Sequence, residues 1–142
     1  MDDEVFGVIL YVAPEVLRTK KYITASDIYS CGMIIWEIWN REYPFSSCSH
    51  DITLIYNICD KIWPAIPDGI PKYYQELMIY CWDQNPSKRP IANEIFNIIR
   101  EWDYFTIQNK VKKYIENRGK KRKIHIDAIY KSRSISKIIE EA

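Results

Sequence analysis

A chain of 142 residues with 47% hydrophobic and 14% aromatic side chains can bury a real core, and its composition is that of a single soluble globular domain. With 20 Lys and Arg against 19 Asp and Glu, the formal net charge is +1, so overall charge points to no nucleic-acid or other charged partner. No stretch approaches the ~20 uninterrupted apolar residues of a membrane span, and the opening MDDEVFG is acidic where a signal peptide begins basic, so an intracellular, cytoplasmic protein with no membrane partner is expected.

The first predicted helix runs from Ser26, read as its N-cap, to Asn40–Arg41, with Pro44 preventing its return. Ile28, Cys31, Ile35 and Trp39 share one face, while Met33, Ile34, Trp36 and Ile38 fill much of the other. A helix apolar nearly all round belongs in the middle of a core. A second helix, from His50–Asp51 to before Pro64, is patterned by Ile52, Ile55, Tyr56, Cys59 and Ile62. WPAIPDGIP, residues 63–71, must be irregular, with a turn at Asp68–Gly69. Pro71 then opens a helix whose face is Tyr74, Leu77, Met78 and Cys81, ended by Asp83-Gln84-Asn85-Pro86. Pro90 opens the next, on which Ile91, Ile95, Ile98, Ile99 and Trp102 make the cleanest stripe in the chain. Tyr104, Ile107, Val111, Tyr114 and Ile115 suggest one more helix ending near Gly119, before the basic run RGKKRK at 118–123. That run is short and lacks interleaved aromatics, so it reads as a solvated hinge rather than a nucleic-acid patch. The final IHIDAIYKSRSISKIIEEA can form a short peripheral helix.

Cys31, Cys48, Cys59 and Cys81 form no C-x-x-C pair, and His50 and His125 stand far apart, which supports neither a zinc site nor a disulfide framework. Cys31, Cys59 and Cys81 fall on apolar helix faces and read as buried thiols. No Ser/His/Asp pattern or paired-carboxylate pattern offers an active site of another kind.

GVILYVAPEVL (7–17), SDIYSCGMIIWEI (26–38), YPFSSCSHD (43–51) and LMIYCWDQNPSKRP (77–90) follow one another in an order and at a spacing that resembles the C-terminal half of a protein kinase catalytic domain. The form C-W-x-x-N-P-x-x-R-P is similar to the tyrosine-kinase-like branch of serine/threonine kinases, and HIDAIYKSR resembles the tails of members expanded in some fungal genomes. The resemblance implies a mainly α fold, the helical C-terminal lobe without the N-terminal β lobe. It divides the chain into a partial kinase domain, 1–103, and a basic, weakly helical tail, 104–142.

The same resemblance assigns roles to particular residues. Ala13, Pro14 and Glu15 match the Ala-Pro-Glu that closes the activation segment, and Glu15 would form a buried ion pair with Arg89, which precedes Pro90. Gly7, Val8, Ile9, Leu10 and Tyr11 match the substrate-facing loop. Serine/threonine kinases usually carry Gly-Thr there, so Val8, without a hydroxyl, is a departure, as is Trp63 where arginine is common. Asp27 matches the aspartate that starts the central helix and binds the catalytic-loop backbone, and Gly32 and Trp82 match structural positions of the same motifs.

The family's phosphoryl transfer needs a glycine-rich loop, a lysine paired with a helix glutamate, an H-R-D-x-x-x-x-N loop and a D-F-G aspartate, with ATP and Mg²⁺ as cofactors of the complete domain. The four glycines, Gly7, Gly32, Gly69 and Gly119, form no G-x-G-x-x-G, neither histidine precedes Arg-Asp, and the VFG at 5–7 stands too close to Ala13 to be a D-F-G. This chain therefore contains no catalytic, cofactor or metal residue of that set. The expectation is a kinase C-lobe fragment, inactive alone, whose partners are the missing half of the domain or other proteins. The alternative is a stand-alone, pseudokinase-like interaction module. An apolar patch near Ile28 and the loop Val8–Val12 is expected to be exposed and to drive self-association.

Overall fold

The computed structural model describes residues 4–117 and 124–142. In chain order the elements are β1 (Phe6–Gly7), a 3-10 turn (Ile9–Tyr11), α1 (Pro14–Thr19), α2 (Thr24–Asn40), α3 (Ile52–Cys59), α4 (Lys72–Cys81), a 3-10 turn (Pro86–Lys88), α5 (Ala92–Arg100), α6 (Tyr104–Asn117), β2 (Arg133–Ser134) and α7 (Ile135–Glu140). The fold is mainly α, as the sequence implies.

α2 opens at Thr24, two residues before the expected N-cap. Ser26 lies in its first turn instead, where its hydroxyl reaches back to accept the Ile23 N–H at 3.2 Å, satisfying one of the donors a helix start leaves free. At the other end Arg41 takes φ 52°, and its N–H donates to Glu37 O at 2.7 Å. Ile28, Tyr29, Met33, Trp36 and Trp39 are buried, but Ile34 and Ile38 are 49% and 70% exposed, so α2 is not covered on every side. α4 packs along α2 through Leu77, Met78 and Cys81. The backbones approach so closely that a Cβ on Gly32 would lie 2.6 Å from the Trp82 ring and 2.8 Å from Cys81 Cβ, leaving glycine as the residue that fits.

The expected patch at Ile28 and Val8–Val12 is not exposed. Ile9, Leu10, Val12 and Ile28 are 0–7% accessible, because the 3-10 turn folds the loop back onto α2 and delivers its apolar side chains to the core. α3, N-capped by Asp51 accepting from Thr53 N–H at 2.8 Å, packs on α1. Its inward face is Leu54, Ile55 and Ile58, rotated from the stripe read in the sequence, so that Tyr56 is left exposed. In the 63–71 connection Gly69 takes φ +92°, a conformation that favours glycine, and Trp36 Nε1 donates to Ala65 O at 2.9 Å.

α5 starts at Ala92 rather than at the buried Pro90, with Glu94 accepting the Ile91 N–H at 2.8 Å. Of its apolar stripe only Ile95 is buried; Ile98 and Trp102 are half-buried, and Ile91 and Ile99 face outward. α6 docks through Tyr114, whose ring meets Trp39 edge-on at 5.6 Å, beside the tilted contact of Tyr74 with Trp102 at 4.3 Å. The expected end of this helix near Gly119 and the basic run 118–123 lie outside the described residues.

Residues 124–142 return across the lobe. His125 N–H donates to Ser46 O at 2.7 Å and His50 N–H to Asp127 O at 3.1 Å. The buried His50 ring sets Nδ1 3.0 Å from both the N–H and the carbonyl of Ile129 and Nε2 3.0 Å from Phe45 O, so both ring nitrogens meet backbone. Tyr130 stacks on Tyr43 at 4.2 Å, and β2 then pairs antiparallel with β1. Cys81 is buried and its thiol is pushed up to about 12 by burial, while Cys31 and Cys59 are half-buried and raised for the same reason, which leaves them little thiolate.

Candidate functional site

The first turn of α1 carries Glu15, placed there because Pro14 fixes the entry to the helix at its first position. Arg89 comes from the other end of the lobe, at the exit of the Pro86–Lys88 turn. The two meet as a bidentate pair, with Nη1 to Oε1 at 2.7 Å and Nη2 to Oε2 at 2.8 Å. The Arg89 side chain is fully buried and that of Glu15 is 15% exposed. Two further guanidinium donors are also used: Nε donates to Asp83 O at 2.8 Å and Nη1 to Ala25 O at 2.7 Å. Ser26 Oγ donates to Glu15 Oε1 at 2.9 Å, and the guanidinium carbon stands 5.3 Å from the Tyr29 ring centre. Burial raises the Glu15 carboxyl, but the Arg89 hydrogen bonds and charge, with help from its own helix start and Ser26, outweigh that and hold it below its usual 4.5.

This cluster joins three chain segments. Because both charges are paired and hydrogen-bonded, its chemistry is fastening rather than proton transfer. Ala13 and Pro14 are buried beside it, and Pro90 is buried on the Arg89 side. Sequence reasoning missed Ser26, Ala25 O and Asp83 O as members; the serine one residue before Asp27 was a signal, but it was read as a cap.

A small cleft of about 190 Å³ lies next to the cluster, with Gly7, Val8, Tyr11, Tyr22, Asp27 and Ser30 among its walls. Asp27 is exposed in the first turn of α2. Ser30 Oγ donates to Tyr11 O at 2.7 Å, and the Tyr11 hydroxyl donates to the Glu37 carboxylate, so the loop's carboxyl end is tied to α2 at two points. Burial, together with that carboxylate, pushes the Tyr11 hydroxyl far above its ordinary range. Of the loop residues, Ile9 and Leu10 point into the core, while Gly7, Val8 and Tyr11 reach the cleft. Gly32 and Trp82 belong to the α2–α4 contact and do not reach it. Among the described residues no group of three or more His, Cys, Asp or Glu is placed to hold a metal ion, and no helix is long and apolar enough to cross a membrane.

The family model for protein tyrosine and serine/threonine kinases matches residues 2–99. Among curated proteins, the chain is 36% identical over 96 residues to the dual specificity protein kinase shkA of Dictyostelium discoideum, an overlap of 67% of this chain and 18% of that protein. It is 38% identical over 96 residues to the dual specificity protein kinase shkE of the same organism, covering 67% of this chain and 14% of the relative. To the serine/threonine-protein kinase mos of Patiria pectinifera it is 33% identical over 90 residues, 63% of this chain and 26% of the relative. The chain thus spans roughly a quarter or less of the length of each of these relatives.

Proposed function

Because the chain belongs to the protein tyrosine and serine/threonine kinase family, we propose that it forms the C-terminal lobe of a protein serine/threonine kinase of the tyrosine-kinase-like branch. The observation that carries this reading is the bidentate Glu15–Arg89 pair, which fastens Ala-Pro-Glu to the C-W-x-x-N-P-x-x-R-P segment. In this reading Gly7–Tyr11 face a protein substrate and Asp27 awaits a catalytic-loop backbone. ATP and Mg²⁺ are bound by groups outside these 142 residues, and the setting is intracellular, in the cytoplasm. Sequencing the transcript across the Met1 codon tests it. An open frame that continues upstream into D-F-G and H-R-D supports the kinase; an in-frame stop with a promoter immediately upstream favours the second reading. That reading is a pseudokinase-like module that binds proteins, and the exposed Ile34 and Ile38 on α2 favour it.

Taken alone, the 142 residues are expected neither to bind Mg-ATP specifically nor to transfer its phosphate. Surface ammonium groups such as Lys20, Lys21 and Lys61 are not set in a glycine-rich cradle, and the glutamate that Lys20 meets, Glu140 at 3.9 Å, is itself exposed, so they offer only weak, salt-screened attraction to phosphate. Calorimetric titration with Mg-ATP should be flat, and a generic protein substrate should gain no phosphate. Saturable micromolar binding, or turnover that persists through further purification, would contradict this.

A further inference from the structure

The main-chain edge of residues 4–7, which runs into the loop read above as substrate-facing and shares Gly7 with it, is already occupied. β2 covers it with Phe6 opposite Ser134 and Gly7 opposite Arg133. The Ile135 N–H donates to Val5 O at 2.7 Å, the Val5 N–H donates to Ser136 Oγ at 3.0 Å, and Ser134 Oγ donates to Glu4 at 2.5 Å. Ile135 is fully buried beside Val5 in the core, and its Cδ1 would lie 3.6 Å from a Cβ on Gly7. The tail thus meets each of residues 4–7: the ladder covers Phe6 and Gly7, both main-chain groups of Val5 are taken by Ile135 and the Ser136 hydroxyl, and Glu4 is held through its side chain, much as an added strand would do.

The hold is local and small. β2 has two residues and α7 six, too few for a helix to persist without packing, and of α7 only Ile135 and Ser136 are buried. The Lys20–Glu140 pair, at 3.9 Å between exposed side chains, adds little. Upstream, the strap is held on its own account by His50 and by Tyr130 on Tyr43, whereas the Arg133 guanidinium, which donates to His50 O, is a further contact that the latch gives up when it lifts. The last ten residues can therefore lift from the edge while residues 125–130 stay in place, a sub-global opening of the kind expected of a segment with few buried contacts.

We propose that residues 133–136 are a reversible self-blocking latch on the edge formed by residues 4–7, which an incoming peptide strand must displace to make the same main-chain hydrogen bonds. The proposal rests on the substrate-facing reading of the adjoining loop. The fitting peptide resembles the latch itself: extended, with a β-branched apolar residue in the place of Ile135 and a small hydroxyl residue after it.

Two measurements on the full 142-residue chain test it. In native-state hydrogen exchange the Val5 and Ile135 amides should be at least about 10-fold less protected than that of Met33 in α2, because they exchange through the latch opening. In anisotropy, a labelled KSRSISKIIEEA peptide should bind the Ile135→Asp chain at least about 10-fold more tightly than the unaltered chain, since the internal competitor has been removed. Equal protection of the three amides, or equal peptide affinity for the two chains, would overturn the latch. Should Ile135→Asp fail to fold, the exchange result on the unaltered chain decides. Neither readout uses phosphate transfer, so failure of the kinase reading would appear in the transcript and leave these results interpretable.

Discussion

Alanine at Glu15 or at Arg89 is expected to lower the unfolding free energy by about 3–5 kcal/mol, because each removes one partner of a buried, hydrogen-bonded ion pair and leaves the other uncompensated. The two losses should differ. Glu15→Ala strands a guanidinium that is fully buried, whereas Arg89→Ala leaves a carboxylate that is 15% exposed and keeps the Ser26 hydroxyl. The larger loss therefore belongs to Glu15→Ala, and the double replacement should cost much less than the sum. Additive losses in a denaturant-based double-mutant cycle would mean that the side chains do not meet in solution. The same pair sets an acid dependence. With its folded-state carboxyl held below 4.5, Glu15 contributes stability that is complete above that value and is lost as pH falls through the folded-state value. Glu15→Gln should flatten the stability profile below pH 4.5; a profile as steep as that of the unaltered chain would assign the acid sensitivity elsewhere.

Gly32→Ala is expected to cost about 3 kcal/mol, the upper end of the usual range for an added methyl in a packed core. The methyl would arrive 2.6 Å from the Trp82 indole and 2.8 Å from Cys81 Cβ, both on the opposing helix or its end, so relief requires α2 and α4 to separate. Trp82→Phe supplies the counter-test. The smaller ring leaves room for the methyl, and the buried Trp82 Nε1 has no hydrogen-bond partner among the described residues, so its removal sacrifices none. The pair Gly32→Ala/Trp82→Phe should therefore be more stable than Gly32→Ala alone. If Gly32→Ala leaves the unfolding midpoint unchanged, the indole is not seated against the glycine.

The helices were legible because their apolar residues recur at helical spacing and prolines punctuate them: Pro71 flanks α4, and the Asp68–Gly69 turn sits where Gly69 needs positive φ. Which face turns inward was less legible. The stripe through Ile52, Tyr56 and Cys59 is as periodic as that through Leu54 and Ile58, and the docking of α1 chooses between them. α5 shows the same limit, since a stripe that is continuous in sequence is only half covered in space. At the site, Glu15 and Arg89 could be singled out through a family pattern and Ser26 carried a signal that its helix-start position turned toward a cap, but Ala25 O and Asp83 O could not, because a backbone carbonyl carries no sequence mark. The tail's pairing was hidden for another reason. Two-residue strands have no period to detect, and Ser134 and Ile135 gain meaning only from partners at the opposite end of the chain.

That last separation also bears on the order of folding. Val5 and Ser136 are 131 positions apart, yet they exchange a hydrogen bond. Bringing such distant segments together carries the entropy of closing a long loop, and the reward is a two-residue ladder and one buried isoleucine. The packing of α2 on α4 and of α1 on α3 joins segments much nearer in sequence and buries far more. Loop closure becomes favourable only after those helices have drawn the chain together, so the ladder belongs to the descent from the transition state, not the climb to it. Ile135→Val should then speed unfolding and leave the folding rate nearly unchanged, a φ-value near zero. A φ-value near one, from folding and unfolding rates measured across denaturant, would instead put the meeting of the two chain ends in the nucleus.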